Sequence, residues 1–488
     1  MLIRQYAIDG LGHLSTFIAD EDHGVAAVVD PRRDVDVYLA LAAGLDLRIT
    51  HVLETHLHND YVSGGHELAA LTGAQHVIGA GARLAHEHRP VAAGDHVSVG
   101  ALEFTVHETP GHTPEHVAYS VADKSRASDP ALLFTGGSLL VGAVGRTDLL
   151  GEEDAVAFAH AMHSSLRDVV FRQPDHVTIL PTHGAGSLCS TGISSTPSST
   201  IGFERLHNRM AGAALVEPAD IDGFVRTLLS GQPAVPRYFA RMRPTNQAGP
   251  ALLGPTVPAA TPLDLPRVKE LLAQEALVVD ARSPMAFALA HVPGSVSIPA
   301  GSSFSTWLGW VTSPDRPIVM ILESPADWDT IIRQALRIGF ESVIAGHLQG
   351  GFGTWTSAGS AVESTERLTV QQLAARLDRG GVEAPLVIDV RQASEYESGH
   401  IPDAWHIGAG DLTARLAELP RDRPIAAMCE SGYRASVASS LLRQAGFTDV
   451  AWVATGVSTW RHAGFPIERG LGDSALHPSV LAEPAHTH

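Results

Sequence analysis

The chain has 488 residues, enough for about three domains, and its 44% hydrophobic and 18% charged residues are ordinary for a soluble globular protein. A formal net charge of −19 argues against nucleic acid or an anionic membrane as partner, because both need a basic face. Two cysteines, Cys189 and Cys429, cannot make a disulfide framework in a chain this long, so each thiol has to be considered singly.

There is no apolar run of about 18 residues, and no apolar stretch in the N-terminal residues precedes a small-residue cleavage site. No membrane span and no secretory signal are therefore expected, and the location expected is cytoplasmic. Residues 1–200 alternate apolar strand-like runs with polar turns: GVAAVVDP (24–31), ITHVLETH (49–56), LEFTVHETPGH (102–112) and HVTILPTHG (176–184). The last three bring histidines to strand ends, where a sheet scaffold usually displays its chemistry. The stretch PTNQAGPALLGPTVPAATP (244–262) has linker composition.

The sequence then says similar things twice. LVVDARSPMAFALAHVPGSVSIP (277–299) parallels LVIDVRQASEYESGHIPDAWHI (386–407), and RPIVMIL (316–322) parallels RPIAAMC (423–429). An offset of about 105 residues is too long for a solenoid unit and marks two copies of one parallel α/β domain. The expected division is a first domain over 1–245, a linker over 246–262, further domains over 263–360 and 366–468, and a loose tail over 469–488.

In the last domain, AAMCESGYRAS (426–436) is a strand, a cysteine, a short loop and a helix start. Backbone N–H groups at a helix N-terminus favour negative charge on Cys429. Gly432 lets the loop turn its amides inward, and Arg434 adds a fixed cation. This C-E-S-G-Y-R loop resembles that of rhodaneses, together with Asp389-Val390-Arg391 and His400-Ile401-Pro402. The resemblance implies a Cys429 persulfide and anion binding by Arg434. It also implies substrate contacts from Glu430, Ser431, Gly432, Tyr433, Asp389 and Arg391. Thiosulfate, glutathione persulfide or a similar sulfane-sulfur donor would load the cysteine, and a thiol would accept the sulfur. In the first copy Leu322 stands in the place of Cys429, and the acidic loop Glu323–Asp329 lacks the glycine and arginine. That copy is expected to be catalytically silent.

In the first domain, Thr55-His56-Leu57-His58-Asn59-Asp60 follows a strand, and His112 and His183 lie on other loops. Such a set can converge on a transition metal. These motifs resemble the metallo-β-lactamase superfamily, which implies an αββα sandwich. FTGGSLLVGAVGRTDL (134–149) and PTHGAGSLCS (181–190) resemble its persulfide dioxygenases and their rhodanese-fused relatives. The expectation is one divalent ion, zinc or iron, on His56, His58 and His112, with Asp60 and His183 as a second position.

Two residues depart from that pattern. Tyr61 replaces a histidine, and Gly137 replaces the aspartate that completes the iron triad in the dioxygenases. Placing an aspartate at 137 is expected to raise iron affinity. Three readings of the domain stay open: a dioxygenase, a zinc thioester hydrolase like glyoxalase II, and a metal-free scaffold serving the rhodanese. Cys189 is expected to be a buried structural cysteine, with His66, His107 and His116 as solvent or supporting neighbours. The oligomeric state is not set by the sequence, and a homo-oligomer is left open.

Overall fold

A computed structural model describes residues 1–216 and 218–470. The expected tail lies, from residue 471 on, outside the described residues. The chain divides into two compact units: Met1–Pro258 with Ile332–Glu341, and the other described residues from Ala259 on. No described helix is long and apolar enough to cross a membrane.

The first unit is built on two six-stranded sheets. One carries β1 (Leu2–Ile8), β2 (His13–Asp20), β3 (Val25–Val29), β4 (Arg48–Leu53), β5 (Gln75–Gly79) and β6 (Arg89–Val91) in that order. The other carries β7 (His96–Val99), β8 (Leu102–Glu108), β9 (Val117–Asp123), β10 (Leu132–Gly136), β11 (Thr178–Pro181) and β12 (Ser199–Thr200), again in sequence order. Strand periodicity explains the layers. In β3, Val25, Ala27 and Val29 point to the space between the sheets, where they meet Phe104, Val121 and Phe134. Ala26 and Val28 of the same strand face outward onto Val35, Tyr38 and Leu68. Both faces are buried, which is why this strand reads as an unbroken apolar run. The helices Glu152–Asp168, Arg209–Leu215 and Ile221–Leu229 cover the outer face of the second sheet. The result is an αββα sandwich with its chemistry-bearing loops at the ends of β4, β8 and β11.

The second unit contains two five-stranded, all-parallel sheets of identical topology. With β13 (Pro262–Leu263), β14 (Leu277–Asp280), β15 (Val296–Ser297), β16 (Ile318–Ile321) and β17 (Ile344–Leu348), the first has the order β13-β17-β16-β14-β15. With β18 (Glu366–Leu368), β19 (Leu386–Asp389), β20 (Trp405–His406), β21 (Ile425–Met428) and β22 (Val450–Val453), the second has the order β18-β22-β21-β19-β20. The shared motifs are shared struts. Arg282 forks onto Asp280 at 2.9 and 2.6 Å and reaches the Ala290 carbonyl at 2.7 Å. Arg391 forks onto Asp389 at 2.9 and 2.7 Å and reaches the Gly399 carbonyl at 2.7 Å. His291 stacks on Phe287 and His400 on Tyr396, at centroid distances of 3.9 and 3.7 Å.

The repeats also touch. Ser297 donates its N–H to Ser440 Oγ at 3.0 Å and shares a 2.8 Å hydrogen bond with Ser436 Oγ. The Tyr433 hydroxyl donates to the Pro299 carbonyl at 3.0 Å.

Within the first unit, Asp34 is fully buried and accepts from Arg337 Nε and Nη2 at 2.8 and 2.7 Å, and from Arg32. Burial alone would push this carboxyl up, but Arg337 and Arg32 hold it down at about 2. A depressed carboxyl contributes fully above its unfolded value of about 3.9 and loses that contribution as pH falls through the folded value. Asp34→Ala, which strands buried guanidinium groups, is expected to cost about 3 kcal/mol in urea unfolding at neutral pH. The difference from wild type should shrink between pH 4 and pH 2.

Candidate functional site

His56, His58 and Asp60 sit on the loop after β4, His112 on the loop between β8 and β9, and His183 just after β11. All five are buried. The loops converge: His56 Nε2 and His183 Nε2 are 3.4 Å apart, and the His112 ring lies 4.9 Å from His56 and 5.3 Å from His183, centroid to centroid. Nitrogens of His56, His58 and His183 all lie within 4.8 Å of one another.

Outer hydrogen bonds select which nitrogen of each ring faces the cluster. His112 Nδ1 donates to the Arg146 carbonyl at 2.7 Å, leaving Nε2 bare. His58 Nε2 donates to Glu54 Oε2 at 2.9 Å, with Asp30 Oδ1 at 3.4 Å, leaving Nδ1 without a partner. His56 Nδ1 pairs with Thr55 Oγ1 at 2.9 Å. Second partners of this kind fix ring orientation in metal sites.

Burial and the neighbouring imidazoles hold His56 far below the usual histidine range, and burial with His183 holds His112 at about 3. Both rings are therefore neutral, the form that binds metal. Burial opposes charge on His58 and His183 too, but there it is outweighed. Asp30 and Glu54 raise His58 to about 9, while Cys189 and Asp60 hold His183 well above its ordinary value. Both oxygens of Asp60 are buried without a hydrogen bond of regular geometry, Oδ2 lying 3.3 Å from His183 Nδ1. Buried atoms left so are costly unless something satisfies them, and a transition-metal cation fits this donor set.

Gly137 does more than omit a carboxylate. A β-carbon there would lie 2.7 Å from Cγ and 2.9 Å from Nε2 of His112, so the imidazole occupies the space an aspartate needs. The expectation that an aspartate at 137 simply restores a ligand is corrected accordingly. Tyr61 is buried and stacked between His13 and His58, at 3.8 and 4.4 Å. His116 accepts the Gly137 N–H at 2.9 Å, and His107 pairs with Ser120 Oγ at 2.8 Å, so both are spent on neighbours. His66 Nδ1 donates to the Pro250 carbonyl at 3.2 Å. Cys189, expected to be a buried structural cysteine, is buried, and it also shares a cluster with His112 and His183. Its place six residues after His183, behind a glycine-bearing loop, was the available signal. Asp30, Glu54 and Arg146, which orient the ligands, lie in stretches whose spacing shows no such role.

In the second unit, Cys429 directly follows β21, and its Sγ accepts the Gly432 N–H at 3.2 Å where the helix Tyr433–Gln444 begins. Gly432 is required twice: its φ of +82° is left-handed, and a β-carbon would lie 2.7 Å from the Ala454 carbonyl oxygen. The Trp452 indole donates to the Gly432 carbonyl at 2.8 Å and braces the loop.

The other residues expected at this site divide. Arg434 forks onto Glu395 at 2.5 and 2.8 Å, and its charge also acts on Cys429. Asp389 spends its carboxylate on Arg391, and the first copy, with Leu322 in place of the cysteine, keeps the same pair; Asp389 is a strut, and its expected substrate contact is corrected. Arg391 retains Nη1 near Glu430, at 4.0 Å. Both line a cleft of about 500 Å³ with Ser458, Arg461 and Arg469. Ser431 is exposed, and Tyr433 is held by the Pro299 carbonyl.

The rhodanese-like domain family matches residues 264–358 and 369–463. The N-terminal part is similar to a hydroxyacylglutathione hydrolase of Cereibacter sphaeroides, 32% identical over 48% of this chain and 83% of that protein. It is also similar to the mitochondrial persulfide dioxygenase ETHE1 of Bos taurus, 29% identical over 42% of this chain and 78% of that protein. Among solved structures, a metallo-β-lactamase from Staphylococcus aureus matches with TM-score 0.62 and 30% identity, over 71% of this chain and 98% of that one. Some curated relatives are matched over about half their length, as with 46% of the hydroxyacylglutathione hydrolase of Rhodospirillum rubrum at 42% identity.

Two substitutions test this geometry. Gly137→Asp is expected to lower bound metal per chain, measured by elemental analysis after loading, because the new side chain must displace His112. Leu322→Cys in a Cys429→Ser chain is expected to restore no sulfurtransferase turnover, because the loop after Leu322 lacks the glycine and arginine and is acidic.

Proposed function

The chain belongs to the metallo-β-lactamase family and carries two rhodanese-like domains behind that fold; on this premise we propose that it is a sulfurtransferase whose nucleophile is Cys429. The observation that carries the reading is the contact of Cys429 Sγ with the Gly432 N–H at a helix N-terminus. Backbone donors and the helix dipole stabilise the thiolate, and they stabilise the anionic persulfide equally well.

The Cys429 thiolate attacks the outer sulfur of a sulfane donor such as thiosulfate. A new S–S bond forms, the donor's S–S bond breaks, and sulfite leaves with its electron pair. An acceptor thiolate then attacks the outer sulfur of the persulfide and returns Cys429 as thiolate. The arginines Arg391, Arg461 and Arg469 give the adjoining cleft the charge to receive an anionic donor.

In the N-terminal unit, His56, His58, His112 and His183 with Asp60 are the residues that would hold a divalent ion, zinc or iron. Zinc would supply Lewis-acid activation for hydrolysis, and iron redox chemistry with dioxygen. The chain's own contribution is to keep His56 and His112 unprotonated and to exclude water from the cluster. The substrate class proposed for this unit is a small thiol derivative bearing sulfane sulfur. A second reading, hydrolysis of a glutathione thioester, is favoured by the likeness to the Cereibacter sphaeroides hydrolase. Metal content of protein purified without added metal separates the two, iron favouring oxidation and zinc hydrolysis.

Cys429→Ser is expected to lower thiosulfate:cyanide sulfurtransferase turnover by about 10³-fold, whereas Cys189→Ser keeps most of it. Equal losses in both variants would overturn the assignment of Cys429 as sole carrier.

A further inference from the structure

Cys189 lies on the loop that follows His183. Its sulfur and imidazole nitrogens of His112 and His183 all lie within 4.8 Å of one another, and all three residues are buried. We propose that Cys189 is a metal ligand in this chain, its thiolate supplying, beside His112 and His183, the anionic donor that Gly137 withholds. This rests on the reading that the N-terminal unit holds a metal ion, and it specifies which of its residues complete the donor set.

Three further observations point the same way. Asp60, almost wholly buried beside His183, has both oxygens without a regular hydrogen bond, and His183 Nδ1 is also without one. Apart from the 3.3 Å ion pair between Asp60 Oδ2 and His183 Nδ1, these buried atoms have no hydrogen-bond partner in the protein.

The backbone that carries Cys189 is also held in place from behind. Arg146 donates its backbone N–H to the Cys189 carbonyl at 2.8 Å, and its own carbonyl accepts His112 Nδ1 at 2.7 Å. The Arg146 guanidinium reaches the Leu188 carbonyl at 3.2 Å and is forked onto Asp148 at 2.6 and 2.7 Å. One residue thus sets the spacing of an imidazole and a cysteine backbone, while Ser187 Oγ accepts the Cys189 N–H at 3.1 Å.

Finally, the place of a carboxylate at 137 is filled by the His112 ring, so the missing charge has to come from another direction. Thiolate with imidazoles is a donor set that suits zinc. Binding converts the buried thiol to thiolate, and its proton is released to solvent as the metal–sulfur bond forms.

The test uses the full-length Cys429→Ser chain, in which Cys189 is the one remaining thiol of the two in the sequence, loaded with one equivalent of cobalt(II). A near-ultraviolet sulfur-to-cobalt charge-transfer absorption is expected. Adding Cys189→Ser should abolish that absorption and weaken cobalt binding by more than about 100-fold. Cys189→Asp should recover part of the affinity without the absorption. Cobalt bound stoichiometrically with no charge-transfer absorption overturns the proposal, as does unchanged affinity in Cys189→Ser. The spectrum of the Cys429→Ser chain decides the point even where a Cys189 variant fails to fold. A chain that takes up no cobalt at all overturns this proposal and the metal reading together.

Discussion

Burial of polar atoms that have no partner is the constraint around which the N-terminal unit is arranged. An unsatisfied buried donor or acceptor costs about 1–3 kcal/mol; His58 Nδ1 and Asp60 Oδ1 have no hydrogen bond, and Asp60 Oδ2 and His183 Nδ1 have only each other, at 3.3 Å. Such a group persists only if the surrounding sheets hold it more firmly than the atoms disfavour it. The holding is visible in the layer behind the imidazoles: Thr55 on His56, Glu54 and Asp30 on His58, and the Arg146 carbonyl on His112. These contacts use one nitrogen of each ring and aim the other inward.

The second unit solves a different problem with the same economy of means. Its two copies share strand order, the Asp–Arg fork and the aromatic–histidine stack, so those motifs maintain a fold whether or not a nucleophile is present. The difference that bears on chemistry lies in the turn after the fourth strand of each repeat. In one that turn is Cys429 to Arg434 with a left-handed glycine; in the other it follows Leu322 and carries carboxylates. Chemistry here is a property of six residues on a scaffold that is indifferent to it.

Much of this was legible in the sequence where the signal is local. The repeat, the strand-end histidines and the loop C-E-S-G-Y-R each lie within short stretches whose spacing follows strand and turn geometry. The absence of a carboxylate at 137 could also be read directly. The response of the surroundings could not: that the His112 ring fills the vacated space depends on packing between segments far apart in the chain. For the same reason the pairing of Arg434 with Glu395 had no signature in one dimension, and the nearness of Cys189 to His183 in sequence did not reveal its approach to His112. A lone charge or thiol announces its type, and only the fold announces its partner.

The contact between the two repeats has a mechanical consequence. In the helix that starts beside Cys429, every residue from Ala435 to Leu442 is buried, and Ser436 and Ser440 are bonded to Ser297 of the first copy. The first copy is thus a buttress for that helix, whether or not it does chemistry of its own. A change at Ser297 would be felt in the helix that the Cys429 loop feeds, far from it in sequence and against it in space.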